Sequence, residues 1–385
     1  MNVLLITGDS EIMRDGSPAQ AALLQEAAQV NKLMVIIMNS RHRHGYARKV
    51  NDHLWLFPMN AWTPFDNFFR ALGVIRKEIF FRNRLQADLI VADDPLLAGF
   101  VAVVAARRYK KPLHIYVRHN IFSRFYVTSS PLSLLRSVIG RIFIGFANSI
   151  SVASESTRAT LIRRDPVFAD RVTTVQPYID VDAVRAKTVG DDLHLKYTQF
   201  RALLLVIAPL SPEQNIKLAI GVLVEISKYH NHIGLVIVGS GIERFYLARY
   251  AKLKGVGDSV MFEPPQEDMT SLYKSAFALV VPSLFEAFES TIEDAAAAGC
   301  VMISSPVGNA PKLIENKENG YLCDPHAPLE YVDAINMLLN NEKLRMTMKE
   351  RIAEKAKNFV AEDKDVHEQT RLKAWQQAVE SYRGY

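Results

Sequence analysis

Cysteine is almost missing from this chain of 385 residues, in which Cys300 and Cys323 are the whole complement. Two thiols neither staple a small domain nor complete a structural zinc site, so both classes are excluded and a reducing, cytoplasmic setting is the expectation. Long apolar runs are missing too. No stretch approaches the roughly 18 residues of a membrane-spanning helix, and Met1 leads into a strand-like run rather than a signal peptide. There is no low-complexity tract, and no internal repeat beyond a coarse similarity of the two halves. With 49% hydrophobic and 23% charged residues, the chain is neither disordered nor collagen-like, and its length suggests two domains.

Acidic residues are missing from one whole stretch. Residues 101–150 hold eight cations (Arg107, Arg108, Lys110, Lys111, Arg118, Arg124, Arg136 and Arg141) and no Asp or Glu. Residues 1–190 carry 25 Lys and Arg against 15 Asp and Glu, and residues 191–385 carry 21 against 26. The formal net charge of +5 is therefore a difference between a basic first half and an acidic second half. Such asymmetry speaks of partners, and the first half is expected to meet something anionic. No interleaved aromatic and basic motif marks it as a nucleic-acid surface. Residues 130–147, SPLSLLRSVIGRIFIGFA, join an apolar face to Arg136 and Arg141. A helix of that kind suits the interface of an anionic bilayer; packing on a sheet is the alternative for its apolar face.

Short apolar runs alternate with longer amphipathic stretches, the pattern of parallel sheets covered by helices. Strands are expected at 3–7, 33–38, 88–92, 113–117 and 149–153, then again at 202–209, 233–239, 260–264, 278–283 and 301–305. The fold class is α/β, with two doubly wound units in series. The polar segment 186–200, with Gly190, reads as the linker. Domains are expected at 1–188 and 189–362, followed by a helix at 363–385 whose Trp375 needs a surface to cover it.

Ligands of open α/β sheets bind beyond the carboxyl ends of the strands, so the residues just after strands carry the chemistry. Gly239-Ser240-Gly241 follows a strand and opens a helix, where backbone N–H groups can approach a ligand; a plain tight turn is the alternative. Between Pro282 and Gly299 a strand ends at Ser283, a loop bears Glu286, and an Ala-rich helix begins near Ser290, with Glu293 as its capping-box partner. A third loop, Ser304 to Pro311, follows the next strand. Asp93 and Asp94 read as loop carboxylates rather than metal ligands.

With these segments in this order, the chain resembles the GT-B glycosyltransferases, and in particular the retaining family four. That family carries Pro-Ser-x-x-Glu-Gly-Phe-Gly, a helix with a second Glu eight positions after the first, and then a Gly-Gly loop. The resemblance covers most of the chain, including Asp15-Gly16-Ser17, Tyr116 to Asn120 and Asn319 to Leu322. It implies two Rossmann-like domains facing a cleft, with the final helix crossing back to the first. It also implies transfer of a sugar from a UDP- or GDP-sugar, without cofactor or metal, to a glycan or lipid-linked acceptor, in the cytoplasm or on the inner face of the membrane. In the roles it implies, Glu286 and His119 face the donor sugar, and Asp294, with Glu293 beside it, accepts from the ribose hydroxyls. The backbone at Gly16, at Gly239, Ser240 and Gly241, and at Ser290 and Thr291 approaches the diphosphate. Arg118, Arg124, Arg136 and Arg141 form the acceptor or membrane face.

The departures from the pattern concern charge. Where the family places an Arg and a Lys on the diphosphate, this chain has Pro209 and Gln214, with Lys217 as the nearest substitute. Glu289 stands in place of a loop Gly, and Lys312 in place of a Glu. Two readings follow: an active transferase, or a non-catalytic scaffold that serves as partner subunit of one.

Overall fold

A parallel strand covered by helices on both faces must be apolar at successive positions, and the runs of this sequence fold as that rule requires. The computed structural model describes the chain apart from residues 39–45, 62, 83–85, 119, 130, 176–178, 191, 267, 285–290, 360–363 and 383–385. It divides into one unit made of Met1–Gln176 with Lys364–Tyr385, and a second made of Pro177–Asp363.

The first unit is built on eight strands: β1 (Asn2–Thr7), β2 (Lys32–Ile37), β3 (Arg48–Lys49), β4 (Leu54–Pro58), β5 (Leu89–Ala92), β6 (Leu113–Val117), β7 (Ser149–Val152) and β8 (Val172–Thr174). Their order is β3-β4-β2-β1-β5-β6-β7-β8, and only β3 runs antiparallel to its neighbour. Side chains alternate between the two faces. Val3 and Leu5 of β1 pack with Leu23 and Ala27 of the helix Pro18–Ala28, whereas Leu4 and Ile6 face Val101 and Ala102 of the helix Leu97–Tyr109.

The terminal helix, Lys364–Glu380, belongs to this unit, and Trp375, 2% exposed, sits in the core with Val3 and Leu5. Ser149 Oγ donates to Ala374 O at 2.6 Å, and His114 Nδ1 lies 2.7 Å from Ser149 Oγ. The hydroxyl has a single proton, already given to Ala374, so His114 donates from Nδ1. Burial pushes the His114 imidazole down to about 3, which keeps it neutral.

The second unit has six parallel strands: β9 (Ala202–Ile207), β10 (Ile233–Val238), β11 (Val260–Glu263), β12 (Ala278–Val281), β13 (Met302–Ser304) and β14 (Tyr321–Leu322), ordered β11-β10-β9-β12-β13-β14. Leu204 and Val206 of β9 enter one core, and Leu203 and Leu205 the other.

The expected linker lies elsewhere. The segment after 186 is fastened to the second unit: Lys187 pairs with Asp268 at 2.8 Å, Gly190 N–H donates to Ser271 Oγ at 2.8 Å, and Leu193 and Phe200 are buried in its core. The division falls instead between 176 and 177. Polar composition marked a segment that lies over a surface, not one that joins two units.

Candidate functional site

In each sheet the chain leaves a central strand in opposite directions, which opens a crevice beyond the carboxyl ends of the two strands flanking that point. The flanking strands are β1 and β5 in the first sheet, and β9 and β12 in the second.

At the first crevice Thr7 ends β1, Asp93 follows β5 and Arg118 follows β6. Thr7 Oγ1 donates to Asp93 Oδ2 at 2.8 Å, and the Arg118 guanidinium grips both carboxylate oxygens, at 3.0 and 2.7 Å. Asp93 is 14% exposed; burial pushes its carboxyl above the usual range, with Arg118 pulling against it. Arg118, expected on an acceptor or membrane face, thus has a carboxylate partner beside it. The pair holds the backbone immediately before His119, which itself lies outside the described residues. On the other flank Asn120 is buried and its Nδ2 donates to Thr160 Oγ1 at 3.2 Å. Asp94 accepts the N–H of Leu96 at 2.7 Å and is a loop carboxylate as read.

Gly16 forms a left-handed turn at φ +78°, and its N–H donates to Gln20 Oε1 at 3.1 Å. Ser17 Oγ accepts from Gln20 N at 3.1 Å and caps the helix Pro18–Ala28. The Gly16 N–H assigned to a diphosphate is therefore already engaged.

At the second crevice four loops are tied together by backbone groups, by the amide–hydroxyl pair of Gln214 and Ser283, and by the Glu293 carboxyl. Ala208 to Leu210, just after β9, lies against the turn after β10. A Cβ on Gly239 would fall 2.0 Å from Ala208 O, and one on Gly241 would fall 2.3 Å from Leu210 O. Leu210 N–H donates to Ser240 O at 2.9 Å. Close backbone approach accounts for both glycines, so the tight-turn alternative is sufficient for them; Ser240 between them is exposed. Gln214, 8% exposed, accepts from Ser283 Oγ at 2.7 Å, and Leu284 N–H donates to Glu213 O at 2.9 Å. The side chain standing where a diphosphate lysine was expected thus joins the loops after β9 and β12.

Beyond β12 the helix Thr291–Ala297 brings three of the expected residues together. Thr291 is buried against the hydroxyl of Tyr273. Glu293 Oε1 accepts from Asn309 Nδ2 at 2.5 Å, which couples this helix to the loop after β13; burial pushes the Glu293 carboxyl up, with the Asn309 bond opposing. Asp294 is half-buried one position on. Lys217 is turned to Tyr246 Oη, 3.2 Å away, and to the Tyr250 ring at 5.0 Å. Glu286, Glu289 and Ser290 lie outside the described residues. Among the described residues no group of three or more His, Cys, Asp or Glu is arranged to hold a metal ion.

The helix Pro131–Ile144 is turned the opposite way from a core helix. It buries Ser137, Gly140 and Ile144, while Leu132, Leu135, Val138 and Ile142 remain exposed, Leu135 by 54% and Ile142 by 53%. Arg136 is exposed on the same helix, and Arg141 pairs with Asp165 at 2.7 Å. Arg124 opens the short helix Arg124–Ser129. No helix among the described residues is long and apolar enough to cross a membrane.

The Asp93 and Ser283 networks were missed from sequence because they join residues far apart in the chain. The available signal was positional: Thr7, Asp93 and Arg118 each close or follow a strand.

A model of the family "Glycosyl transferases group 1" matches residues 198–355, and one of "Glycosyltransferase Family 4" matches residues 22–183. A D-inositol 3-phosphate glycosyltransferase of Corynebacterium efficiens is 25% identical over 245 residues, which is 60% of this chain and 57% of that protein. The chain thus spans little more than half of that relative. Among solved structures, sucrose-phosphate synthase of Thermosynechococcus elongatus aligns with a TM-score of 0.79 at 16% identity, covering 98% of each chain. The Anabaena protein HepE, solved with UDP and glucose, aligns with a TM-score of 0.75 at 17% identity, covering 98% of this chain and 99% of that one. At these identities the structural likeness is one of fold.

Proposed function

The chain belongs to the group 1 and family 4 glycosyltransferases and has their GT-B fold, and from that premise we propose that it is a hexosyltransferase using a UDP- or GDP-sugar. The second unit holds the donor and the first receives the acceptor. Transfer breaks the bond from the anomeric carbon to the diphosphate oxygen and forms one to an acceptor hydroxyl oxygen, with retention and without a metal ion.

In this reading Glu286 orients the sugar hydroxyls and His119 faces the same sugar. Asp294, half-buried on the helix Thr291–Ala297, accepts from the ribose hydroxyls, with Glu293, bonded to Asn309, beside it. Negative charge grows on the leaving diphosphate, and donors fixed beforehand stabilise it best. The exposed Ser240 backbone and the start of the helix Thr291–Ala297 supply them, with Ser290, outside the described residues, assigned beside them. The observation that carries the reading is that the loops after β9, β10, β12 and β13 are fastened to one another before any ligand arrives. Turnover of UDP- and GDP-sugars should be detectable in EDTA, and should fall about 100-fold or more in Glu286→Ala. Turnover by the variant equal to wild type would remove Glu286 from the mechanism.

One observation favours the scaffold reading: Gln214 is committed to Ser283 and brings no charge to a diphosphate. Failure of every nucleotide to bind would support it.

The exposed face of the Pro131–Ile144 helix supports a lipid-linked acceptor at an anionic membrane surface. Burying four half-exposed aliphatic side chains contributes roughly 3–4 kcal/mol of membrane affinity, and each nearby Lys or Arg about 1 kcal/mol. Co-sedimentation with phosphatidylglycerol vesicles, lost in Leu135→Glu/Ile142→Glu, is the expected result. Equal recovery with and without vesicles would contradict it.

A further inference from the structure

The opposite, amino-terminal edge of the first sheet carries a concavity of its own. A pocket of about 480 Å³ opens there, between the end of the helix Leu97–Tyr109, the start of β6, the end of the helix Pro131–Ile144 and the end of the terminal helix. β6 runs from Leu113, in the pocket wall, to Val117, next to Arg118. At about 3.3 Å per residue the two ends stand roughly 13 Å apart, so the pocket is separate from the Asp93 crevice.

Its polar lining consists of donors. Arg107, Lys110 and Lys111 face it, and no Asp or Glu occurs anywhere between residues 95 and 154. Three helix C-termini meet here, each equivalent to about half a negative charge, and the three cations of the lining exceed their sum. Lys110 and Lys111 lie past the helix end. The Arg107 guanidinium stacks on the Phe146 ring, 4.0 Å from its centroid, which holds the fork in place. Asn148 Oδ1 accepts the Leu113 N–H at 3.0 Å, which fixes the amide with its NH₂ left to donate. Phe146 and Tyr382 add flat apolar walls.

We propose that this pocket binds a phosphate group carried on an apolar or ring-bearing body. Three cations and a fixed amide suit an acceptor-only anion, and the aromatic walls suit the body that carries it. The proposal goes beyond sugar transfer and does not rest on it. The phosphate belongs either to a phospholipid headgroup, reached along the exposed aliphatic face that ends at Phe146, or to a soluble phosphate ester.

The test is calorimetric titration of the full chain with dihexanoyl phosphatidate and, separately, with glycerol 3-phosphate. Saturable binding is expected, weakened at least tenfold in Arg107→Gln/Lys110→Gln/Lys111→Gln. The exposed single change Lys110→Glu provides a second variant if the triple one melts early. Tighter binding of the phosphatidate identifies a lipid source, and equal binding a soluble one; both support the site. Saturable binding of neither probe, or equal binding by wild type and the variants, overturns it. UDP-sugar turnover measured on the same samples keeps this outcome distinct from that of the transferase reading.

Discussion

At the crevice of the eight-stranded sheet a buried carboxylate, Asp93, is held between Thr7 and Arg118, whereas at that of the six-stranded sheet the loops are joined by the neutral pair Ser283 and Gln214. The contrast runs through the two units as wholes. The first carries 27 Lys and Arg against 16 Asp and Glu, and the second 19 against 25. Yet the first unit is not uniformly basic. Arg118 and Arg141 have carboxylate partners, while Arg107, Lys110 and Lys111 gather at the opposite edge, in the acid-free stretch. Excess charge is informative only after the paired charges have been removed from it.

The largest effect expected from this difference is on pH dependence. His114 of the first unit is buried and neutral, its pKa pushed down to about 3 from an unfolded value of 6.5. The stability this contributes is fully present above pH 6.5 and is lost as pH falls toward 3, to a total of roughly 5 kcal/mol. Thermal unfolding of wild type should therefore decline over that window more steeply than that of His114→Asn, which keeps a donor toward Ser149. Parallel pH profiles would show that His114 does not stay neutral.

Breaking the two crevices should rank them next. Arg118→Leu leaves Asp93 with Thr7 alone as partner, a loss of about 2 kcal/mol. Gln214→Leu removes one neutral acceptor and leaves the Ser283 hydroxyl unsatisfied, a loss of about 1 kcal/mol. Urea unfolding compares them, and a Gln214 variant as damaged as the Arg118 one would erase the distinction between ionic and neutral links. The smallest stability effect belongs to Leu135→Glu/Ile142→Glu, within about 0.5 kcal/mol of wild type because both side chains face solvent. A drop of several kcal/mol would mean that the exposed face is covered in the folded protein.

Much of this architecture was legible in the sequence because the central strands of both sheets are parallel and buried on two faces, so that β1 and β9 appear as unbroken apolar runs. β4, β8 and β14 were not legible. Leu54 to Pro58 ends in a proline, and Val172–Thr174 and Tyr321–Leu322 are too short to show a period. The crevice loops were located by the rule that function follows strand ends, and Glu293 and Thr291 do lie there. Their partners were not readable: Asn309 reaches Glu293 across 16 positions, and Ser283 reaches Gln214 across 69. Nor did the sequence reveal which apolar residues of the Pro131–Ile144 helix would be left outside, because that depends on Gly140 fitting closely against Ile121, with Ser137 buried on the same helix.

The proposed function requires the pre-fastened crevice of the second unit to hold a nucleotide diphosphate with Pro209 and Gln214 standing in the positions of the two cations that the family resemblance implies. Calorimetric titration of the full chain with UDP, GDP and their sugars, in EDTA, tests it most directly. Saturable one-to-one binding of one of these nucleotides, weakened in Asp294→Ala and unchanged in Arg107→Gln/Lys110→Gln/Lys111→Gln, is the predicted result. Binding of none of them, in a protein that remains folded, would contradict the account and leave the fold as a scaffold without a donor.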